Sequence, residues 1–185
     1  MKYAFYISML FTVLLFAGEN TTIIERELED GTVEKGPAYK DKNGKHIAHG
    51  HWVATYPNGQ KAYEGDYKHG KLEGKWTFWY KNGSRSGEMH YKNNEADSKF
   101  ITWYSNGQKE AEGKLEKGKR VGTWKYWHDN GEMRAKGKFE NGVQNGKWTM
   151  WHRNGKKRAE IVYKDGKKID VKMWDNKGVI LKRNN

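Results

Sequence analysis

In the run Trp76-Thr77-Phe78-Trp79-Tyr80 large side chains take alternate positions, and Trp124-Lys125-Tyr126-Trp127-His128 and Trp148-Thr149-Met150-Trp151-His152 repeat the pattern. Aromatic and Thr-rich runs with a period of two predict strands. Past residue 20 no stretch places apolar residues at i, i+3, i+4 and i+7, so no helix is expected there. Trp76, Phe78 and Tyr80 would share one face of a sheet, with Thr77 and Trp79 on the other.

The alternation recurs every 24 residues. Asn-Gly stands at 58–59, 82–83, 106–107, 130–131 and 154–155, and Trp52, Trp76, Phe100, Trp124 and Trp148 keep the same step. Trp79, Trp103, Trp127 and Trp151 follow it three residues later, and Tyr67, Tyr91, Leu115, Phe139 and Tyr163 follow it again. The copies run 50–73, 74–97, 98–121, 122–145 and 146–169, with partial units at both ends of a repeat domain over 39–185. Asn-Gly is a strong hairpin signal because both residues tolerate positive φ. A two-residue turn there sets Trp124 opposite Gly137, Trp52 opposite Gly65 and Phe100 opposite Gly113, where each ring would cover its cross-strand glycine. The longer connection, such as 68–74, has Gly at both ends. Copy three departs most, with Asn94, Ser98 and Phe100 where its neighbours have Gly, Gly and Trp, so fraying or a bend is expected there.

On this reading the first aromatic face is a stacking spine. The opposite face carries the row Trp79, Trp103, Trp127 and Trp151 among charged neighbours: Glu88, Glu110, Glu112, Glu160, Arg134, Lys136 and Arg158. Two readings of that row stand side by side. Exposed indoles beside Arg134, Lys136 and Arg158 form a candidate binding face for rings and anions. Alternatively, each indole lies against the stems of neighbouring Lys, Arg and Glu and closes a thin sheet.

Met1-Lys2 precedes an uncharged apolar run over 3–17 that ends at Ala17-Gly18. It is shorter than the roughly 20 residues of a spanning helix and has the form of a cleavable export signal, expected as a signal helix over 1–18. The protein is then exported: periplasmic, on the outer surface or secreted. Without Cys at the cleavage point it is not a lipoprotein. Residues 19–38 form an acidic segment, read as a spacer or as a first, poorly paired strand.

Composition narrows the chemistry. With nine Trp, eleven Tyr, six Phe, 22 Gly, two Pro and no Cys in 185 residues, the chain suits many turns and an aromatic core. It excludes disulfides, thiolate metal sites and a thiol nucleophile. The net charge is +12, and residues 36–185 hold 32 bases against 17 acids. That balance favours anionic partners, although distributed basic charge also serves solubility. His46, His49 and His51 could converge on a metal, but no acid or Cys sits at a fitting spacing, and solvated imidazoles are the favoured reading. His128 and His152 replace Tyr of earlier copies, which points to packing. There is no nucleophile elbow, no phosphate loop and no fixed carboxylate pair, so neither catalysis nor a cofactor is expected.

The segment Tyr63-Glu64-Gly65-Asp66-Tyr67-Lys68-His69-Gly70-Lys71-Leu72-Glu73-Gly74-Lys75-Trp76 resembles a MORN repeat. The whole unit, with Gly-x-Trp-x-x-Trp-Tyr-x-Asn-Gly, is similar to the bacterial variant of that repeat, which includes the YwqK-type antitoxin family. The resemblance covers 39–178 and implies an all-β, elongated, single-layer antiparallel meander of tandem hairpins with a binding role and no catalytic residues. The expected partner is another protein or an anionic or glycan polymer of the envelope. Nucleic acid is not expected, and membrane contact is limited to the signal segment or anionic lipid. Polysaccharide binding, by likeness to choline- and glucan-binding hairpin arrays, and antitoxin action are the alternatives.

Overall fold

The computed structural model describes residues 21–181, all strand, turn and loop, with no helix among them. The expected signal helix over 1–18 lies outside the described residues. Two compact units divide between Glu95 and Ala96, where copy three departs from its neighbours. The expected repeat domain over 39–185 thus contributes to both units.

The first unit holds β1 (Thr21–Glu27), β2 (Val33–Lys40), β3 (His46–Ala48), β4 (Gly50–Thr55), β5 (Lys61–Lys68), β6 (Lys71–Trp79) and β7 (Arg85–Lys92). Its order is β1-β2-β4-β5-β6-β7, with the short β3 also on β2. The second unit runs in chain order through β8 (Glu95–Trp103), β9 (Lys109–Glu116), β10 (Lys119–Trp127), β11 (Met133–Glu140), β12 (Val143–Trp151), β13 (Lys157–Lys164), β14 (Lys167–Trp174) and β15 (Ile180–Leu181). Each unit is one antiparallel layer, the meander that the repeat pattern predicts.

The acidic segment is no spacer. β1 pairs with β2 along its whole length, from Thr21 opposite Tyr39 to Glu27 opposite Val33. One of its acids is held inside the sheet: Glu34, 2% exposed, takes the Arg26 guanidinium on one oxygen and the Tyr63 hydroxyl at 2.5 Å on the other. Burial, then the carboxylate beside it, holds the Tyr63 phenol well above its ordinary range, and burial pushes neighbouring Tyr67 up to about 12.

The turns are exchanged relative to expectation. At Asn130-Gly131 the His128 N–H donates to the Glu132 carbonyl and the Gly131 N–H to the His128 carbonyl, closing a three-residue loop in which only Gly131 has positive φ. The tight two-residue turn sits at the other connection: Lys68 faces Lys71 across His69 (φ 51°) and Gly70 (φ 75°), the type I′ pattern. Asn130 serves by its side chain. Its Oδ1 accepts from the Glu132 N–H at 3.2 Å and its Nδ2 donates to the Arg153 carbonyl at 2.9 Å, tying one loop to the next. Asn58, Asn106 and Asn154 make the same two bonds. A second ladder bonds Tyr56 to the Trp79 carbonyl and Tyr104 to that of Trp127. His128 and His152 continue it through Nε2 at 3.0 Å, which explains why imidazole can stand for phenol.

The third loop residue would slip the register by one, but a bulge restores it. Trp127 faces Met133 while Tyr126 faces Ala135, leaving Arg134 as the extra residue. Trp124 therefore does pair with Gly137, Trp52 with Gly65 and Phe100 with Gly113, as expected. The rings, however, cover different glycines. Trp148 lies on Gly137, Trp124 on Gly113, Trp76 on Gly65 and Trp52 on Gly36, so close that an added Cβ would come under 3.0 Å from each indole. Each indole N–H then donates to the carbonyl of the residue after its glycine: Pro37, Asp66, Lys114 or Lys138, at 2.9–3.2 Å. The four indoles are 0–2% exposed.

The irregular copy keeps this backbone without glycine. Ser98 holds φ 83°, where Gly74, Gly122 and Gly146 hold 66–69°, and Asn94 holds φ 74°, supported by its Oδ1 accepting from the Leu72 N–H at 2.7 Å. A non-glycine residue in this region carries about 1–2 kcal/mol of strain.

Two substitutions test these contacts. Gly137→Ala must displace a buried, hydrogen-bonded indole and is expected to cost about 2–3 kcal/mol in urea unfolding. Ser98→Gly is expected to gain about 0.5–1 kcal/mol in the same measurement, and a loss there would contradict the strain assigned to Ser98.

Candidate functional site

On the charged face a cation opens four of the five hairpin return strands, Lys61, Arg85, Lys109 and Lys157, and each meets the glutamate three residues on. Lys61 Nζ lies 4.9 Å from the Trp79 ring centre and 2.6 Å from Glu64, and Lys109 lies 5.1 Å from Trp127 and 2.7 Å from Glu112. Lys157 repeats the clamp on Trp174 and Glu160, at 5.2 and 2.6 Å. A second lysine reaches each acid of the later pairs, Lys125 to Glu112 and Lys147 to Glu160, both at 3.1 Å. Glu88, 8% exposed, has Lys75 at 2.9 Å. The lysines hold the Glu112 and Glu160 carboxyls below the usual glutamate range, chiefly through the hydrogen bonds from Lys109 and Lys157.

Trp79, Trp103, Trp127 and Trp151 are all half-buried. Trp79 and Trp127 lie under lysine, which is the packing arrangement. In the intervening copy Met133 takes the lysine register, and among the described residues no cation covers the Trp151 ring. Lys136, opposite Lys125 and Thr149, stays on this face.

Arg134 and Arg158 do not. They occupy the bulge register, whose first member, Ala62, is 4% exposed in the aromatic face. The extra residue turns the side chain through the sheet: the Arg134 guanidinium sits 5.6 Å from the Tyr126 ring centre, and Tyr126 stacks on Trp148 at 6.2 Å. Glu110 shares that register, so Glu110 and Glu112 are not a facing pair.

On the aromatic face of the second unit, Arg134 and Arg158 join Arg120 around an open groove of about 640 Å³ floored by Tyr126, Phe139, Trp148 and Met150. Arg120 lies 4.9 Å from the Trp124 ring centre and 5.4 Å from Phe139. Sequence reasoning missed Arg120. Arg120 lies on β10 opposite Leu115, and its carbonyl accepts from the Gly142 N–H at 3.0 Å; the bulge at Arg134, which alternation does not show, turns Arg134 to the same face.

The histidines separate. His49 packs on His69, ring centres 5.0 Å apart, beside Tyr39, whereas His51 turns to Asp66 at 3.0 Å. Among the described residues no three His, Cys, Asp or Glu are placed to hold a metal.

The lowered Glu112 and Glu160 values carry a pH dependence. Their stabilisation is fully present above the unfolded glutamate pKa, near 4.5, and is lost as pH falls through the lower folded values. Melting temperatures measured from pH 6 to pH 3 should fall less steeply in Glu112→Gln than in the native chain, and parallel curves would contradict the clamp.

Four segments match the MORN repeat variant family: residues 48–69, 72–93, 120–141 and 144–165. They fall on the β4–β5, β6–β7, β10–β11 and β12–β13 hairpins, and the unmatched stretch between the second and third holds Asn94, Ser98 and Phe100. No curated protein matches the chain. Matched at two hairpins in each unit, with the same indole-on-glycine contact in both, the chain carries four segments of the MORN repeat variant.

Proposed function

We propose that the protein is an exported, non-catalytic adaptor that binds a protein partner at the bacterial envelope or outside the cell. The supporting observation is the recurrence of one surface from hairpin to hairpin, indoles with lysines beside them, which suits several modest contacts made together. The arginine-lined groove is open, and its lining brings no acid and base together as proton transfer to a substrate requires. Export draws on the apolar run over 3–17. Polysaccharide binding is the second reading, favoured by the uncovered ring of Trp151, a surface on which a sugar could stack. Antitoxin action of the YwqK type requires the N-terminal run to be retained inside the cell.

Pull-down from envelope extract with the full mature chain should capture a protein partner, and Trp151→Ala should lower the capture at least about threefold. Undiminished capture by the variant would remove Trp151 from the binding face, and capture of insoluble cell wall with no protein partner would favour the polysaccharide reading. The purified exported protein should begin at Glu19. A chain beginning at Met1 would contradict export by cleavage and favour the antitoxin reading.

A further inference from the structure

The two faces of the second unit differ in how their cations are paired: among the described residues four lysines of the indole-row face meet acids, though Lys136 does not, while none of the groove arginines does. On the indole-row face Lys109, Lys125, Lys147 and Lys157 all contact Glu112 or Glu160 within 3.1 Å. On the aromatic face no carboxylate lines the groove, and among the described residues Arg120, Arg134 and Arg158 have no acidic partner. Two of the three instead lie over rings, Arg120 on Trp124 and Phe139, and Arg134 on Tyr126. A stacked guanidinium uses its π face, leaving the N–H donors that radiate in its plane free for an oxyanion.

We propose that this groove binds an acidic peptide segment in which apolar side chains alternate with Asp or Glu. The proposal rests on the reading of the chain as a protein-binding module and adds to the Trp151 face a second contact site, with the chemistry of the partner segment it takes. The floor is apolar, formed by Tyr126, Phe139, Trp148 and Met150, so a ligand gains from side chains that enter it, which a bare phosphate does not have. A neutral sugar would want acceptors for its hydroxyls, yet apart from the arginines the polar side chains of the lining are only Gln144 and Tyr126. Arg134 and Arg158 share one repeat register on β11 and β13, two strands and so about 10 Å apart, and an extended peptide covers that span in three residues. Carboxylates two or three residues apart can thus meet two guanidiniums while the residue between them faces the rings. The volume, about 640 Å³, lies within the range of about 300–1,000 Å³ typical of small-ligand clefts, enough for a few side chains.

The test is fluorescence anisotropy with the full chain and a labelled hexapeptide of sequence Glu-Phe-Glu-Glu-Phe-Glu, against the same peptide with Lys for Glu. The acidic peptide should bind at least about tenfold tighter, and Arg134→Ala and Arg158→Ala should each weaken it about fivefold. Arg134→Lys keeps the charge but loses the planar fork and should weaken binding about threefold. Lys99→Ala removes one exposed charge from β8, three strands from β11 and on the face opposite Phe100, and should leave binding within about twofold. The three arginines are exposed, so folding is checked by an unchanged circular dichroism spectrum and melting temperature. Equal binding of the two peptides, arginine variants that bind as the native chain does, or a Lys99→Ala loss equal to that of Arg134→Ala would overturn the proposal. So would arginine-dependent binding of phosphatidylglycerol vesicles or heparin without binding of the acidic peptide. The two readings fail separately. Partner capture that survives the arginine substitutions, with no peptide binding, sinks the groove and leaves the adaptor. Arginine-dependent peptide binding with no captured partner does the reverse.

Discussion

A sheet one layer thick has no second layer to cover its apolar side, so each large ring must find its burial on the backbone beside it. In both units the solution is an indole laid flat on a glycine of the preceding strand, with its N–H bonded to the next carbonyl along. Covering a Trp side chain removes about 150–250 Å² from water, worth up to about 4–6 kcal/mol before conformational costs are counted. A glycine inside a strand costs about 0.5–1 kcal/mol, so the exchange is strongly favourable. The chain itself displays the dependence. At the register of Gly65, Gly113 and Gly137 stand Met89 and Ile161, and eleven residues after each of these the expected Trp is Phe100 or Lys172. Where the ring is missing, the glycine is missing too.

Much of this was legible in the sequence, and the failures have specific causes. The 24-residue step and the strand alternation fixed the hairpins and the pairing of Trp124 with Gly137, because large aromatic side chains on a half-covered sheet leave an unmistakable period. The turn at Asn-Gly was misread: the dipeptide suits a two-residue turn, but Asn58 and its equivalents use their side chains to bind the next loop, and a three-residue loop lets them do so. The compensating bulge then hid the error, since two shifts of one residue cancel beyond it. Inside the bulge they do not cancel, which is why Arg134 and Arg158 were assigned to the wrong face. The acidic start was ambiguous for another reason: the partner that explains buried Glu34 is Tyr63, 29 residues away, and no local pattern reports such a contact.

The same bulge divides the labour of the two faces. It carries one side chain per hairpin through the sheet, small and buried at Ala62, charged at Arg134 and Arg158. On the indole-row face part of the charge is matched within the sheet by Lys–Glu contacts, each worth little because it is exposed. On the groove side positive charge is held over rings without a matching acid. A repeat protein can vary that one register from copy to copy without disturbing the indole-on-glycine contacts, so recognition can change while the fold does not.

The most direct test of the central contact is hydrogen exchange of the nine indole N–H groups, followed by NMR on the full chain. The N–H groups of Trp52, Trp76, Trp124 and Trp148 should exchange slowest, since each is buried and bonded to a backbone carbonyl, while those of Trp79, Trp127 and Trp151 should exchange fast. Protection spread evenly over these seven, or greater in the second set, would contradict the account.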